Sequence, residues 1–302
     1  MSNTFKGFAA GIIAAIFYGT NPLGTLFLYQ DEINPTSVLV WRYAIASLLF
    51  LAWMMAKRES FHLRLGPAIR MAVLGTFMAM SSATLYLSFK YMDAGIASTI
   101  LFSYPIITAV LMTAFFHERI TWSTTFSILL AVTGIGLLYR GGDNATLSTV
   151  GVALVLLSSL FYAFYIIGVN QTHTGLSAIQ FTFWVVLFGL ISLLVLSVIM
   201  GEQIQILSTP KQWACAAQLA LLPTVLSLYF MNIAIENVGS TPSVIMGAVE
   251  PVTAVFIFGE SFSLRLFVGI VLILSAVILL VLSKKKKNVE SHEERPLRAK
   301  RR

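Results

Sequence analysis

The amino-acid sequence predicts an all-α integral membrane protein with ten transmembrane helices arranged as two inverted five-helix repeats. Three observations carry that expectation. The 302 residues are 57% hydrophobic and only 11% charged, against roughly 25% charged in soluble domains, and mean hydropathy is +0.84. Ten apolar runs of spanning length, roughly 17–25 residues, follow one another through short connections. The first five runs are echoed by the last five at an offset near 144 positions.

In chain order the runs lie near residues 7–29, 36–56, 68–90, 94–116 and 122–140, then 148–170, 177–199, 211–236, 239–259 and 262–283. Turn and charge signals mark the gaps: Asp31-Glu32, Lys57-Arg58-Glu59, His117-Glu118-Arg119, Gly141-Gly142-Asp143 and Gln171 to Gly175. No gap has room for a soluble domain, so function is expected among the helices. The N-terminal run has only Lys6 before it and no convincing small-residue cleavage site, and it reads as a retained helix.

The repeat is anchored by punctuating residues. Gly7 matches Gly151, Ala15 to Gly19 (A-I-F-Y-G) matches Ser159 to Ala163 (S-L-F-Y-A), Trp41 matches Trp184, Gly95 matches Gly239, and Glu118 matches Glu260. These bound the halves at 1–143 and 144–283, with a basic tail at 284–302. Five spans is an odd number, so the second copy enters the membrane with the opposite orientation. Inverted repeats of this kind build secondary carriers, with the substrate site near the midplane between halves. One departure is visible: Pro105 to Glu118 is 13 residues but Pro251 to Glu260 only nine, so the ninth span loses about one turn.

The net charge of +7 is no nucleic-acid signal, because the tail supplies +6 of it through nine Lys/Arg against three Glu. Lysines 284–287 directly after the last run predict a cytoplasmic C-terminus. Ten spans then put the N-terminus in the cytoplasm too, in a plasma (inner) membrane protein. A single cysteine, Cys215, excludes an intramolecular disulfide and reads as a packing residue. His62, His117, His173 and His292 fall in loops or tail without metal spacing, and no phosphate loop or nucleophile elbow is present. Neither a cofactor, a metal nor an enzymatic activity is expected.

Few polar groups sit at membrane depth. Glu250-Pro251 lies inside the ninth run, and Tyr104-Pro105 is its counterpart in the fourth. Paired Pro-broken segments in corresponding halves point to a carrier's binding site. Glu250 reads either as a titratable group for proton coupling or ammonium recognition, or as a structural carboxylate bonded across helices. In the first run, Phe17 to Pro22 (F-Y-G-T-N-P) sets Tyr18 and Asn21 beside Pro22, which frees a backbone carbonyl one turn earlier. Tyr162 repeats the aromatic theme in the sixth run, and Tyr86, Tyr229 and Asn232 add candidates from the third and eighth. The substrate-binding set is thus Tyr18, Asn21, Tyr86, Tyr104, Tyr162, Tyr229, Asn232 and Glu250, with Pro22, Arg42, Pro105 and Pro251 as structural or gating residues. Arg42 has three readings: snorkelling to the headgroups, pairing with an acid, or binding a substrate carboxylate. Trp41 and Tyr43 flank it as an interfacial aromatic belt does, which favours snorkelling or structural pairing.

Taken together, Y-G-T-N-P in the first run, W-R-Y opening the second, the Y-P and E-P breaks, and H-E-R-I-T and G-E-S-F-S before glycine-rich or apolar closing helices resemble the drug/metabolite transporter superfamily, EamA type, over residues 5 to 285. The resemblance implies export of small metabolites, amino acids often among them, by alternating access, proton-coupled in many members. With Arg42 the one Lys/Arg clearly inside a span, phosphorylated substrates fit poorly, and a neutral or zwitterionic solute fits better. The expected partners are that solute, the lipid bilayer and, where transport is coupled, protons; a homodimer is left open. A passive facilitator or channel is the alternative.

Overall fold

The computed structural model describes residues 3–116, 122–139, 148–172, 175–238, 264, 267–276 and 278–279. Every regular element among them is helical: α1 Asn3–Gly19, α2 Asn21–Gln30, α3 Pro35–Lys57, α4 Leu65–Ser88, α5 Ala94–Leu101, α6 Tyr104–Phe116, α7 Trp122–Tyr139, α8 Thr149–Gln171, α9 Ala178–Met200, α10 Pro210–Ala220, α11 Ser227–Val238 and the short apolar α12, Phe267–Ala276. Seven stretches among the described residues are long and apolar enough to cross a membrane. They coincide with the first four, sixth, seventh and eighth expected spans. The fifth corresponds to α7, Trp122–Tyr139, and the tenth to the apolar α12, Phe267–Ala276, and the ninth lies outside the described residues.

The helix ends follow local chemistry. Asn34 accepts from Ser37 N at 2.7 Å to start α3, with Pro35 at the first helical position. Ser177 with Gln180, and Thr209 with Gln212, form reciprocal capping boxes for α9 and α10. Helix α9 stops at Gly201, whose φ of +65° is the left-handed conformation glycine adopts without strain.

Among the described residues prolines interrupt three spans, and in two of them a hydroxyl meets the freed carbonyl. In the first, α1 and α2 meet at Thr20, where Pro22 occupies the start of α2 and its missing N–H is harmless. In the fourth, Pro105 removes the helical partner of the Leu101 carbonyl, and Ser159 Oγ of α8 lies 3.2 Å from that carbonyl and 3.0 Å from the Val155 carbonyl, between which its one hydrogen is shared. In the eighth, Pro223 sits in a π-helical turn, Leu221–Leu226. Thr224 Oγ1 donates to the Leu219 carbonyl there at 3.0 Å. The first two breaks match expectation; the third was not anticipated.

The packing joins early helices to late ones. Helix α1 packs on α11, α4 on α8 and α9, α3 on α9, and α10 on α2 and α3. Small residues allow the closest approaches. A Cβ at Gly75 of α4 would stand 2.7 Å from the Val185 carbonyl oxygen and 2.8 Å from Gly189 N of α9, and one at Gly189 would stand 2.8 Å from the Tyr43 ring. On one face, the 202–209 connection is tied to residues 32–41. Asn34 N donates to Gln205 Oε1 at 2.6 Å, Gln205 Nε2 to the Glu32 carbonyl at 3.2 Å, Gln205 N to Ser37 Oγ at 2.8 Å, and Trp41 Nε1 to the Gln205 carbonyl at 2.9 Å.

Candidate substrate cavity

Where the first span breaks at Thr20 and the fourth at residues 102–103, their helices leave space where an unbroken bundle would pack side chains. A cavity of about 250 Å³ occupies it. Ala14, Ala15, Tyr18 and Asn21 line it from the first span, Arg42 from α3, and Met78, Ser81, Ser82, Leu85 and Tyr86 from α4. Ser98, Leu101, Phe102 and Tyr104 come from the fourth span, Tyr162 and Ile166 from α8, and Ser227, Leu228 and Met231 from α11.

One pole is polar. Arg42 is 4% exposed, so its guanidinium is not at the headgroups and the snorkelling reading is corrected. Its Nη1 donates to Asn21 Oδ1 at 2.9 Å and to Tyr86 Oη at 2.8 Å, and its Nε donates to Thr224 Oγ1 at 3.0 Å. Tyr86 Oη in turn donates to Asn21 Oδ1 at 2.6 Å. The break at Thr20 places the Asn21 amide within reach of Arg42, and the π turn at Pro223 does the same for Thr224. Tyr86 is fully buried, so its hydroxyl belongs to this network and not to an interfacial belt. Tyr43 is buried as well and shares a 2.8 Å hydrogen bond with Ser82. Trp41 alone of the W-R-Y triplet sits at the rim, edge-on to Trp213.

The other pole is aromatic. Tyr104 meets Tyr162 edge to face with ring centroids 4.7 Å apart, Phe102 meets Tyr104 at 5.9 Å, and Tyr162 stacks on Tyr165 at 5.7 Å. Between the poles, Ser158 Oγ donates to the Ser81 carbonyl at 2.7 Å and Ser227 Oγ to the Ala14 carbonyl at 3.0 Å.

Five expected binding residues therefore converge on one space: Tyr18, Asn21, Tyr86, Tyr104 and Tyr162. Tyr229 is not among them. It is 42% exposed and packs against Trp53 and Phe230, each at 5.4 Å, because α11 turns that side away from the lining residues Ser227, Leu228 and Met231. Glu250 and Pro251 lie outside the described residues, as does the side chain of Asn232. Pro22 and Pro105 sit at the two breaks, as structural positions. Thr224, Ser81, Ser82, Ser98 and Ser227 were missed. Pro223 inside the eighth span was the available signal for Thr224; serines in apolar helices carry no comparable mark. Among the described residues no group of His, Cys, Asp and Glu gathers to hold a metal.

The family model for EamA-like transporters matches this chain twice, over residues 5–140 and 149–282. The chain belongs to the EamA-like transporter family. This EamA-like protein is 23% identical to an uncharacterized transporter of Clostridium kluyveri, over 94% of this chain and 95% of the relative. It is 22% identical to the uncharacterized transporter YyaM of Bacillus subtilis, over 81% and 84%. A crystal structure 16% identical in sequence matches with a TM-score of 0.61, covering 91% of this chain and 98% of its own, which carries the fold. The protein is thus an integral membrane protein of a transporter family, with two family repeats whose helices together wall the cavity.

Proposed function

We propose that this EamA-like protein is a secondary transporter exporting small metabolites, neutral or aromatic amino acids among them, by alternating access. The observation that carries the reading is the cavity between the two family repeats, lined from residue 14 to 104 by one and from 162 to 231 by the other. A site shared by both repeats changes its exposure when they move relative to each other. The packing supports an inverted arrangement of halves 1–143 and 144–283. Exchanging spans 1, 2 and 3 with 6, 7 and 8 turns the α1·α11 contact into α8·α4 and returns α3·α9 to itself, as a pseudo-two-fold axis requires.

In this mechanism the solute enters from the cytoplasm, where both termini and the basic tail 284–302 lie, in the inner membrane. It sits against Tyr18, Asn21, Tyr86, Tyr104 and Tyr162, and the halves rock about the Pro-broken spans. Glu250 carries a proton in exchange or orients the solute's ammonium group, Asn232 is a further solute contact and Pro251 a gating position, and a homodimer is compatible with the arrangement. The ties between residues 32–41 and Gln205 close one face of this carrier.

The test is counterflow in proteoliposomes with an amino-acid panel and an imposed pH gradient, wild type beside Glu250→Gln. Saturable, trans-stimulated exchange supports the carrier, and loss of pH dependence alone in the variant makes Glu250 the coupling acid. Flux that never saturates and lacks trans-stimulation replaces the carrier with a passive facilitator or channel.

A further inference from the structure

Among the described residues, the polar pole of the cavity holds a positive charge with neutral company. Arg42 is bonded to an amide oxygen, a phenol and a hydroxyl, and none of the described lining residues is acidic. The one ion pair among the described residues, Lys211 with Asp31, is elsewhere and partly exposed. A guanidinium out of water carries a desolvation penalty that neutral partners offset only in part.

The donor count sharpens this. Arg42 uses Nε and Nη1, and Nη2 donates to nothing among the described residues. Arginine only donates, so the Asn21 atom facing Nη1 must be the amide oxygen. That oxygen accepts twice, from Arg42 and from Tyr86. The Asn21 Nδ2 group therefore points elsewhere, and it too has no acceptor among the described residues. The Thr224 hydroxyl hydrogen goes to the Leu219 carbonyl and the Tyr86 hydroxyl hydrogen to Asn21. Among the described residues, what remains is a buried cation with its Nη2 group unspent, beside an unspent amide NH₂ on Asn21, and both residues line a cavity. A planar pair of acceptors bearing one negative charge complements it.

We infer that Arg42, with Asn21, forms the anion-binding pole of the cavity and takes the carboxylate of the transported solute. This rests on the carrier reading for the word transported. The solute then spans the cavity, carboxylate at Arg42 and apolar body toward Phe102, Tyr104 and Tyr162. Glu250 is left to the ammonium end or to coupling.

Equilibrium binding to the purified full-length protein in detergent tests it, using matched acids and amides: phenylalanine and phenylalaninamide, leucine and leucinamide, benzoate and benzamide. The expected result is that each acid that binds does so roughly 10²-fold or more tightly than its amide, the size of two lost charge-assisted bonds. Arg42→Gln is expected to bring each pair within a few-fold. Asn21→Asp is the second variant, because it keeps an oxygen for Arg42 and Tyr86 while supplying the anion internally. It keeps the assignment testable if Arg42→Gln does not fold, and it too is expected to erase the acid preference. Amides binding as well as acids, an acid preference surviving in either variant, or no acid binding at millimolar concentration each overturns the assignment. An intact acid preference without saturable counterflow overturns the carrier and leaves the anion pole standing.

Discussion

Replacing Gln205 with alanine tests whether the ties on its face hold the carrier closed there. The substitution deletes two hydrogen bonds, from Asn34 N at 2.6 Å and to the Glu32 carbonyl at 3.2 Å, and leaves the two backbone bonds to Ser37 and Trp41. Net contributions run at about 0.5–1.5 kcal/mol per bond. The long bond to Glu32 is exposed and belongs at the low end; the short bond to Asn34 is half-buried and belongs higher. The sum is about 1–2 kcal/mol, a shift of roughly 5–30-fold toward the form open on this face. A cysteine at Ser98, on the cavity wall, in a Cys215→Ala background reports that form through its labelling by a membrane-impermeant maleimide. Labelling from the Gln205 face is expected to accelerate by that factor and labelling from the other face to slow. An unchanged rate on both faces, in a protein that still melts cooperatively, refutes the reasoning.

Two further substitutions follow from the packing and the polar network. Tyr86→Phe removes the hydroxyl between Arg42 and Asn21, and because one partner is charged the loss is expected to be about 1.5–3 kcal/mol, read as a lowered melting temperature in detergent. Gly75→Ala forces a Cβ against the backbone of Val185 and Gly189, atoms that cannot rotate aside, and is expected to destabilise by about 1–3 kcal/mol. Gly66→Ala, with nothing within 4 Å of the new carbon, is the control and is expected to be neutral or slightly stabilising in the same melt.

The parts of this molecule legible in the sequence are those with a one-dimensional signature. Apolar runs of spanning length gave the seven full spans because lipid admits little else. Prolines 22 and 105 gave the breaks, since a missing N–H is a property of the residue itself. Tyr18, Asn21 and Tyr104, which line the cavity, neighbour those breaks, and Tyr162 was marked by the repeat of the aromatic theme. Arg42 was left among snorkelling, pairing and carboxylate binding, because snorkelling and burial leave the same trace in a sequence. Its fate depends on Asn21, Tyr86 and Thr224, which lie 21, 44 and 182 positions away. Tyr229 failed for the complementary reason: depth in a span does not fix which side of the helix faces the cavity, and the π turn just before α11 resets that phase. The cavity serines were invisible because an apolar helix carries hydroxyls on any face, bonded to its own carbonyls.

The approach of α4 to α9 through Gly75 and Gly189 has a mechanical consequence. Interdigitated side chains can occupy only discrete registers, so a conventional interface moves by jumping between them. Where Gly75 faces the backbone of Val185 and Gly189, with the Tyr43 ring beside Gly189, neither glycine contributes a knob to lift out of a hole. The third and seventh spans thus have fewer interlocks to undo at that point than along the rest of their contact, where Thr76 and Ser192 share a 2.8 Å hydrogen bond. The same two positions that forbid an added methyl group are the ones that leave the two repeats free to turn.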